Sequence, residues 1–301
     1  MGASGPVIEV EALTKVFRRK VMAVTDLSFS VRPGRVTGFL GPNGSGKTTT
    51  LRCILGLVRP TSGCTSIDGL PYDQLPQPAR TIGAALEATG FYPGRTGREH
   101  LRVLAAAEGI SDRRVDEILE GTGLTQASGR RVAEYSLGMR QRLGLAAALL
   151  ADPGALVLDE PANGLDPEGI AWLRGFLRHR ADAGGTVLVS SHVLAEVQQT
   201  VDDVVIVRQG TLMHAGPLAE LADRSRRVIV RSPEPALLER VVLAQGWDFR
   251  KQADGSLAID GQGLATVGAA CHAAGCELHE LSAASDDLER VFLELMGEEK
   301  R

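Results

Sequence analysis

The stretch Gly41-Pro42-Asn43-Gly44-Ser45-Gly46-Lys47-Thr48 decides the fold. It matches G-x-x-x-x-G-K-[ST], and it follows the apolar run Val36-Thr37-Gly38-Phe39-Leu40, which reads as a buried strand. Thr48–Leu57 after it reads as a helix. Glycines let successive backbone N–H groups turn inward around phosphate oxygens without a Cβ clash. The helix adds its positive N-terminal end. Lys47 supplies a full charge for the terminal phosphates, Thr49 continues the cradle, and the Thr48 hydroxyl suits Mg²⁺. Strand, Gly-rich loop and helix in this order form an α/β phosphate-binding unit.

Two further strand ends extend the pattern. Ala155-Leu156-Val157-Leu158 is all apolar, as a parallel strand buried on both faces requires, and it runs into Asp159-Glu160. Adjacent carboxylates at the end of a buried strand are costly unless compensated. Asp159 suits Mg²⁺, and Glu160 suits a base that deprotonates an attacking water. Thr186-Val187-Leu188-Val189-Ser190 is a third core strand, ending at Ser190-Ser191-His192. Gly41, Asp159 and His192 should converge at the carboxyl edge of one sheet, where ligands bind in such folds.

Around this core, residues 7–10 and 27–31 alternate like short strands, with a turn at Pro33-Gly34. From about 87 to 150 the pattern turns helical, in Glu99–Glu108, Arg114–Gly121 and Met139–Leu150. Pro167–Ala181 opens with Pro, as helices do. Val204–Val207 pairs with Thr211–His214 across Arg208-Gln209-Gly210. The character changes near 222–227. From about 225 to 301 the order is strand (Val228–Arg231), helix (Pro235–Gln245), strand (Trp247–Gln252), strand (Ser256–Asp260), helix (Leu264–Ala274), strand (Cys276–Leu281), helix (Asp286–Met296). This βαββαβ order is the ferredoxin-like pattern.

The 301 residues, 44% hydrophobic, suffice for one full core and a smaller second one. A formal charge of −4 argues against a general nucleic-acid binder. Four cysteines make no disulfide framework, so a reducing compartment fits. Cys271-His272, Cys276 and His279 match no standard zinc spacing, and packing and surface positions are the better reading. Residues 1–10 do not read as a signal peptide. No apolar run reaches the ~20 residues that span a bilayer, so a membrane role must come through a partner.

The whole constellation resembles the ATPase subunit of an ATP-binding-cassette (ABC) transporter, over residues 7–222. Tyr135-Ser136-Leu137-Gly138-Met139-Arg140-Gln141-Arg142 stands where that family has its signature, usually Leu-Ser-Gly-Gly-Gln, and Asn163-Gly164-Leu165-Asp166 resembles its D-loop. The resemblance implies a parallel-sheet core with an antiparallel β subdomain and a helical subdomain, plus the small C-terminal α+β domain. It implies ATP and Mg²⁺ as ligands, with Phe17 stacking on adenine. It also implies a head-to-tail homodimer in which Ser136 and Gly138 of one copy cap the ATP held by Lys47 of the other. A separate transmembrane permease and a peripheral place on the cytoplasmic face of the membrane follow.

Leu137 and Met139 depart from the usual Gly and Gln. Glu87 stands where the family has its Q-loop Gln; a carboxylate there suits Mg²⁺ but adds negative charge beside a triphosphate. Glu87 before Thr89-Gly90-Phe91-Tyr92-Pro93, and the Tyr-Ser-Leu-Gly-Met-Arg-Gln-Arg run, resemble the bacitracin and lantibiotic self-resistance branch. The whole chain, with Asp286-Asp287-Leu288-Glu289-Arg290-Val291-Phe292 near its end, is similar to daunorubicin-type exporter ATPases. The expected function is energising export of a drug, antibiotic or peptide. A soluble ABC ATPase remodelling a nucleoprotein complex is the rival; such proteins carry two cassettes, a coiled insertion or a basic surface, none of which is visible. A non-catalytic regulatory cassette conflicts with intact Lys47, Asp159, Glu160 and His192.

Overall fold

The computed structural model describes residues 4–86, 90–225, 227–284 and 288–297. The chain divides into two compact units, 1–216 and 217–301. The division falls just ahead of a helix (Leu218–Ser225) that packs on the last helix of the second unit.

In the first unit, β1 (Ile8–Phe17), β2 (Val21–Val31) and β4 (Ser62–Ile67) form a three-stranded antiparallel sheet in the order β2-β1-β4. Both β1 and β2 are longer than the alternation in 7–10 and 27–31 suggests. Register shifts interrupt β1, and Ala12 and Asp26 take positive φ (45° and 48°), so the period-2 pattern breaks while the pairing continues.

The second sheet runs β5-β6-β7-β3-β8-β9, from β3 (Arg35–Leu40), β5 (Ile82–Ala85), β6 (Ala155–Leu158), β7 (Thr186–Ser191), β8 (Asp203–Arg208) and β9 (Thr211–Pro217). The pairs β5–β6, β6–β7, β7–β3 and β3–β8 are all parallel. Every residue of β6 and β7 is buried, which is why β6 reads as an unbroken apolar run and β7 carries an apolar centre at 187–189.

Helix α1 (Lys47–Ile54) lies against the antiparallel sheet. Leu51 and Ile54 join Ile8, Val10, Phe29, Phe39, Val157 and Leu188 in one core that links the two sheets. The Phe29 and Phe39 rings meet at 5.3 Å. A single turn, α2 (Pro78–Thr81), precedes β5.

The helical part comprises α3 (Gly97–Ala107), α4 (Asp112–Gly121) and α5 (Leu137–Leu149), which pack on one another. Thr96 and Glu99 close a capping box at the start of α3. Leu101, Val115, Leu119 and Leu143 fill the space between the helices. Helix α6 (Pro167–Asp182) covers β3 and β7, and the short α7 (Leu194–Val197) follows β7.

The second unit holds α8 (Leu218–Ser225), β10 (Arg227–Arg231), α9 (Pro235–Ala244), β11 (Phe249–Lys251), β12 (Leu257–Asp260), α10 (Leu264–Ala273), β13 (Glu280–Ala284) and α11 (Leu288–Met296). Its sheet is ordered β11-β12-β10-β13, with every neighbouring pair antiparallel. The last strand begins at Glu280, not Cys276. Ladder pairing starts where Glu280 meets Arg231, the final residue of β10; the His279 N–H still donates to the Arg231 carbonyl oxygen at 2.8 Å, and residues 276–278 lie past the end of β10. Cys271 and Cys276 are buried in this unit's core with Val230, Leu238 and Ile259.

Candidate functional site

Register places the functional groups. In the parallel pairing, Leu40 lies beside Ser191 and Leu158 beside Val189. The residues just past these strand ends, Gly41, Asp159 and His192, therefore emerge along one edge of β3, β6 and β7, as the sequence suggests.

The loop after β3 carries Gly41–Gly46 into α1. Gly46 caps the helix with φ 100°, and a Cβ there would sit 2.4 Å from the Ala23 carbonyl oxygen. Only glycine lets the loop pass that close to β2. The helix begins at Lys47, one residue earlier than the apolar pattern indicates, and ends at Ile54 rather than Leu57. Asn43, Gly44, Ser45, Gly46, Lys47, Thr48 and Thr49, with Ala23 and Glu160, enclose a cavity of about 190 Å³. The Lys47 ammonium is buried. It donates to the Gly41 and Pro42 carbonyl oxygens at 2.5 and 3.3 Å and lies 3.4 Å from Glu160 Oε1. Among the described residues, the buried Ser45 hydroxyl has no hydrogen-bond partner.

The two acids are held on several sides. Thr48 Oγ1 donates to Asp159 Oδ2 at 2.6 Å, and Ser190 Oγ donates to Asp159 Oδ1 at 2.5 Å. The Asp159 N–H donates to the Ala85 carbonyl oxygen at 2.8 Å. Glu160 adopts a left-handed backbone, φ 48°, an uncommon conformation for a carboxylate residue that clusters at functional sites. Its Oε2 lies 2.8 Å from His192 Nδ1. Facing a carboxylate, that nitrogen carries the proton. The sequence signals Ser190 only as the end of an apolar strand; its double contact with both acids is visible in the fold alone.

This donor set fits a hard divalent cation. A threonine hydroxyl and an aspartate carboxylate meet beside a phosphate-sized loop, and Mg²⁺ takes one or two such oxygens alongside phosphates. Glu160, with His192 on one oxygen and Lys47 near the other, is placed to take a proton from water. Glu87, expected at the metal, lies outside the described residues.

Ser136 and Gly138 stand elsewhere. Ser136 caps α5, accepting the Met139 N–H at 3.2 Å. With Gly123, Met139, Arg142, Gly164 and Asp166 they line a separate open groove of about 560 Å³. A Cβ at Gly138 would lie 2.9 Å from the Gly164 carbonyl oxygen, and one at Gly164 only 2.4 Å from Leu137. The segment 135–139 thus packs directly on 163–166. Phe17, at the end of β1, pairs with Val21 on β2 and is 43% exposed, with Lys15 Nζ 5.1 Å from its ring. Ala23, two residues from Val21, lines the loop cavity.

The ABC transporter family profile matches residues 24–163. A bacitracin transport ATP-binding protein of Enterococcus faecalis is 34% identical over 97% of this chain and 96% of its own length. A bacitracin transport ATP-binding protein of Bacillus licheniformis is 42% identical over 74% of each chain. The chain belongs to the ABC transporter ATP-binding family.

As an ABC ATPase it binds and hydrolyses ATP. Its relatives include a lantibiotic transport ATP-binding protein of Streptococcus pyogenes, 32% identical over 68% of this chain and 89% of that one. A solved ATP-binding subunit of an ABC transporter superposes with a TM-score of 0.65 and 30% identity, covering 71% of this chain and 91% of the other. Residues 226–289 match a family described as a domain of unknown function. Among the described residues, no helix is long and apolar enough to cross a membrane.

Proposed function

We propose that this ATPase energises export of an antibiotic, drug or peptide through a separate membrane-spanning permease. The observation that carries the ATPase half is the single cluster of Lys47, Thr48, Asp159, Glu160 and His192 beside the phosphate-sized cavity. The export half rests on the bacitracin and lantibiotic relatives.

In this reading the loop Gly41–Thr49 binds the phosphates, with Lys47 turning from backbone carbonyls to the terminal phosphates. Phe17 stacks on the base. Thr48 and Asp159 hold Mg²⁺, which neutralises phosphate charge when bound, and Glu87 joins them. Glu160 accepts the proton of the attacking water, and His192 orients Glu160 through Nδ1. Ser136 and Gly138 serve the nucleotide of a second copy arranged head to tail. Their place in a groove of their own, away from Lys47, supports that arrangement. Residues 225–301, in a ferredoxin-like arrangement, act as an accessory domain outside the catalytic site. The complex sits at the cytoplasmic face of the membrane.

The test is affinity isolation of the tagged full chain from detergent-solubilised membranes. A stoichiometric membrane-spanning subunit in a fraction that hydrolyses ATP is expected. Recovery with ribosomes or DNA and no membrane subunit would overturn the export reading in favour of a remodelling ATPase.

A further inference from the structure

The hydroxyl of Ser190 is the point where the two acids of the site are tied together. Ser190 is 1% exposed, at the second-last position of β7. The parallel register that sets Leu158 beside Val189 brings the next residue, Asp159, level with Ser190. One hydroxyl then does two jobs. It accepts the Glu160 backbone N–H at 2.9 Å and donates its hydrogen to Asp159 Oδ1 at 2.5 Å.

Both bonds act where the chain has something to hold. Glu160 sits at φ 48°, a conformation that costs on the order of 1 kcal/mol or more for a residue with a Cβ and persists only when its surroundings enforce it. The Ser190 acceptor fixes the N–H of that residue, and so the direction in which the Glu160 carboxylate leaves the backbone toward His192. The Ser190 donor occupies Oδ1 of Asp159, which turns Oδ2 toward Thr48. Removing the hydroxyl leaves a buried N–H and a buried carboxylate oxygen each short of a partner.

Resting on the reading of Glu160 as the base and Asp159 as a metal ligand, we propose that Ser190 is a positioning residue for ATP hydrolysis. It sets the two carboxylates in one mutual geometry without touching the nucleotide. A serine at this place therefore matters for the rate of the chemical step and hardly at all for the binding of ATP.

The test compares ATP hydrolysis by the full chain with the affinity for a non-hydrolysable ATP analogue. In Ser190→Ala, kcat falls about 10–100-fold, the range expected when a hydrogen bond to a charged group is lost. KM and analogue affinity stay within about threefold. Ser190→Thr, which keeps the hydroxyl on a side chain suited to a strand, recovers most of the rate. In a Glu160→Gln background, Ser190→Ala lowers the residual single-turnover rate by a smaller factor than it lowers turnover of the otherwise wild-type chain, because one of the two carboxylates it positions is already disabled. Wild-type kcat in Ser190→Ala beside an inactive Glu160→Gln overturns this inference and leaves the role of Glu160 standing. Normal turnover in Glu160→Gln overturns the reading of the base itself. Loss of analogue binding in both Ser190 variants assigns the residue to folding alone and also overturns the proposal.

Discussion

Replacing Glu160 by Gln keeps the size of the side chain and removes its charge. The structure sets two consequences of opposite sign. His192 Nδ1–H still finds an acceptor in the amide oxygen, so the side chain holds its place 2.8 Å from the ring. The amide cannot take a proton from water. Loss of a general base costs about 10²–10⁴ in rate, which is about 3–5 kcal/mol of barrier. Lys47 meanwhile loses a carboxylate 3.4 Å away, and both partners are largely buried. At an effective dielectric of 20 that attraction is worth up to about 5 kcal/mol, an upper bound before solvation of the ammonium is counted. The freed ammonium is then more available to phosphate. ATP affinity is therefore retained or tightened while hydrolysis all but stops. Phosphate release at saturating ATP measures the first effect, calorimetric titration with ATP the second. Size-exclusion chromatography with ATP should show an accumulating dimer, because hydrolysis no longer releases it. Turnover within about threefold of wild type would refute the assignment of Glu160 as base.

Other expectations follow from neighbouring features. Lys47→Ala removes a charge-assisted contact to phosphate, and calorimetry with a non-hydrolysable analogue should show affinity lower by about 10–100-fold; unchanged affinity would refute the phosphate cradle. A chain ending at Gly216 should still bind ATP, since residues 1–216 form a compact unit with their own core; a shortened chain that neither folds nor binds would disprove that independence. Burial, with a smaller contribution from Arg95, holds the His100 imidazole below its usual pKa, against the edge of Phe91. The unfolded chain then takes up that proton first as pH falls below about 6.5, so this contribution to stability is full at neutral pH and declines through the window below it. Urea midpoints between pH 7.5 and pH 5.5 should fall less in His100→Gln than in wild type; identical slopes would rule out His100 as the source.

Much of the site was legible because its chemistry is local. Eight consecutive residues, 41–48, carry the phosphate loop, and an apolar tetrad ending in two acids marks the end of a buried strand without reference to anything distant. The long strands β1 and β2 were only half legible. Bulges at Ala12 and Asp26 break the alternation that marks a strand, while backbone pairing runs on through them. The start of β13 at Glu280 was hidden for a related reason: a strand begins where a partner exists, and β10 ends at Arg231.

The sequence by itself determined the α/β class, the phosphate loop, the paired acids and the family, all written in short runs whose period and residue types speak for themselves. Only the tertiary structure decided which of these groups touch. Thr48 meets Asp159 across 111 residues and His192 meets Glu160 across 32 because β3, β7 and β6 lie side by side in parallel, an order set by strand pairing between distant segments. The left-handed turn at Glu160 and the serine that spans both acids belong to that same register. No local pattern encodes either one, since each exists only once the strands have been laid edge to edge.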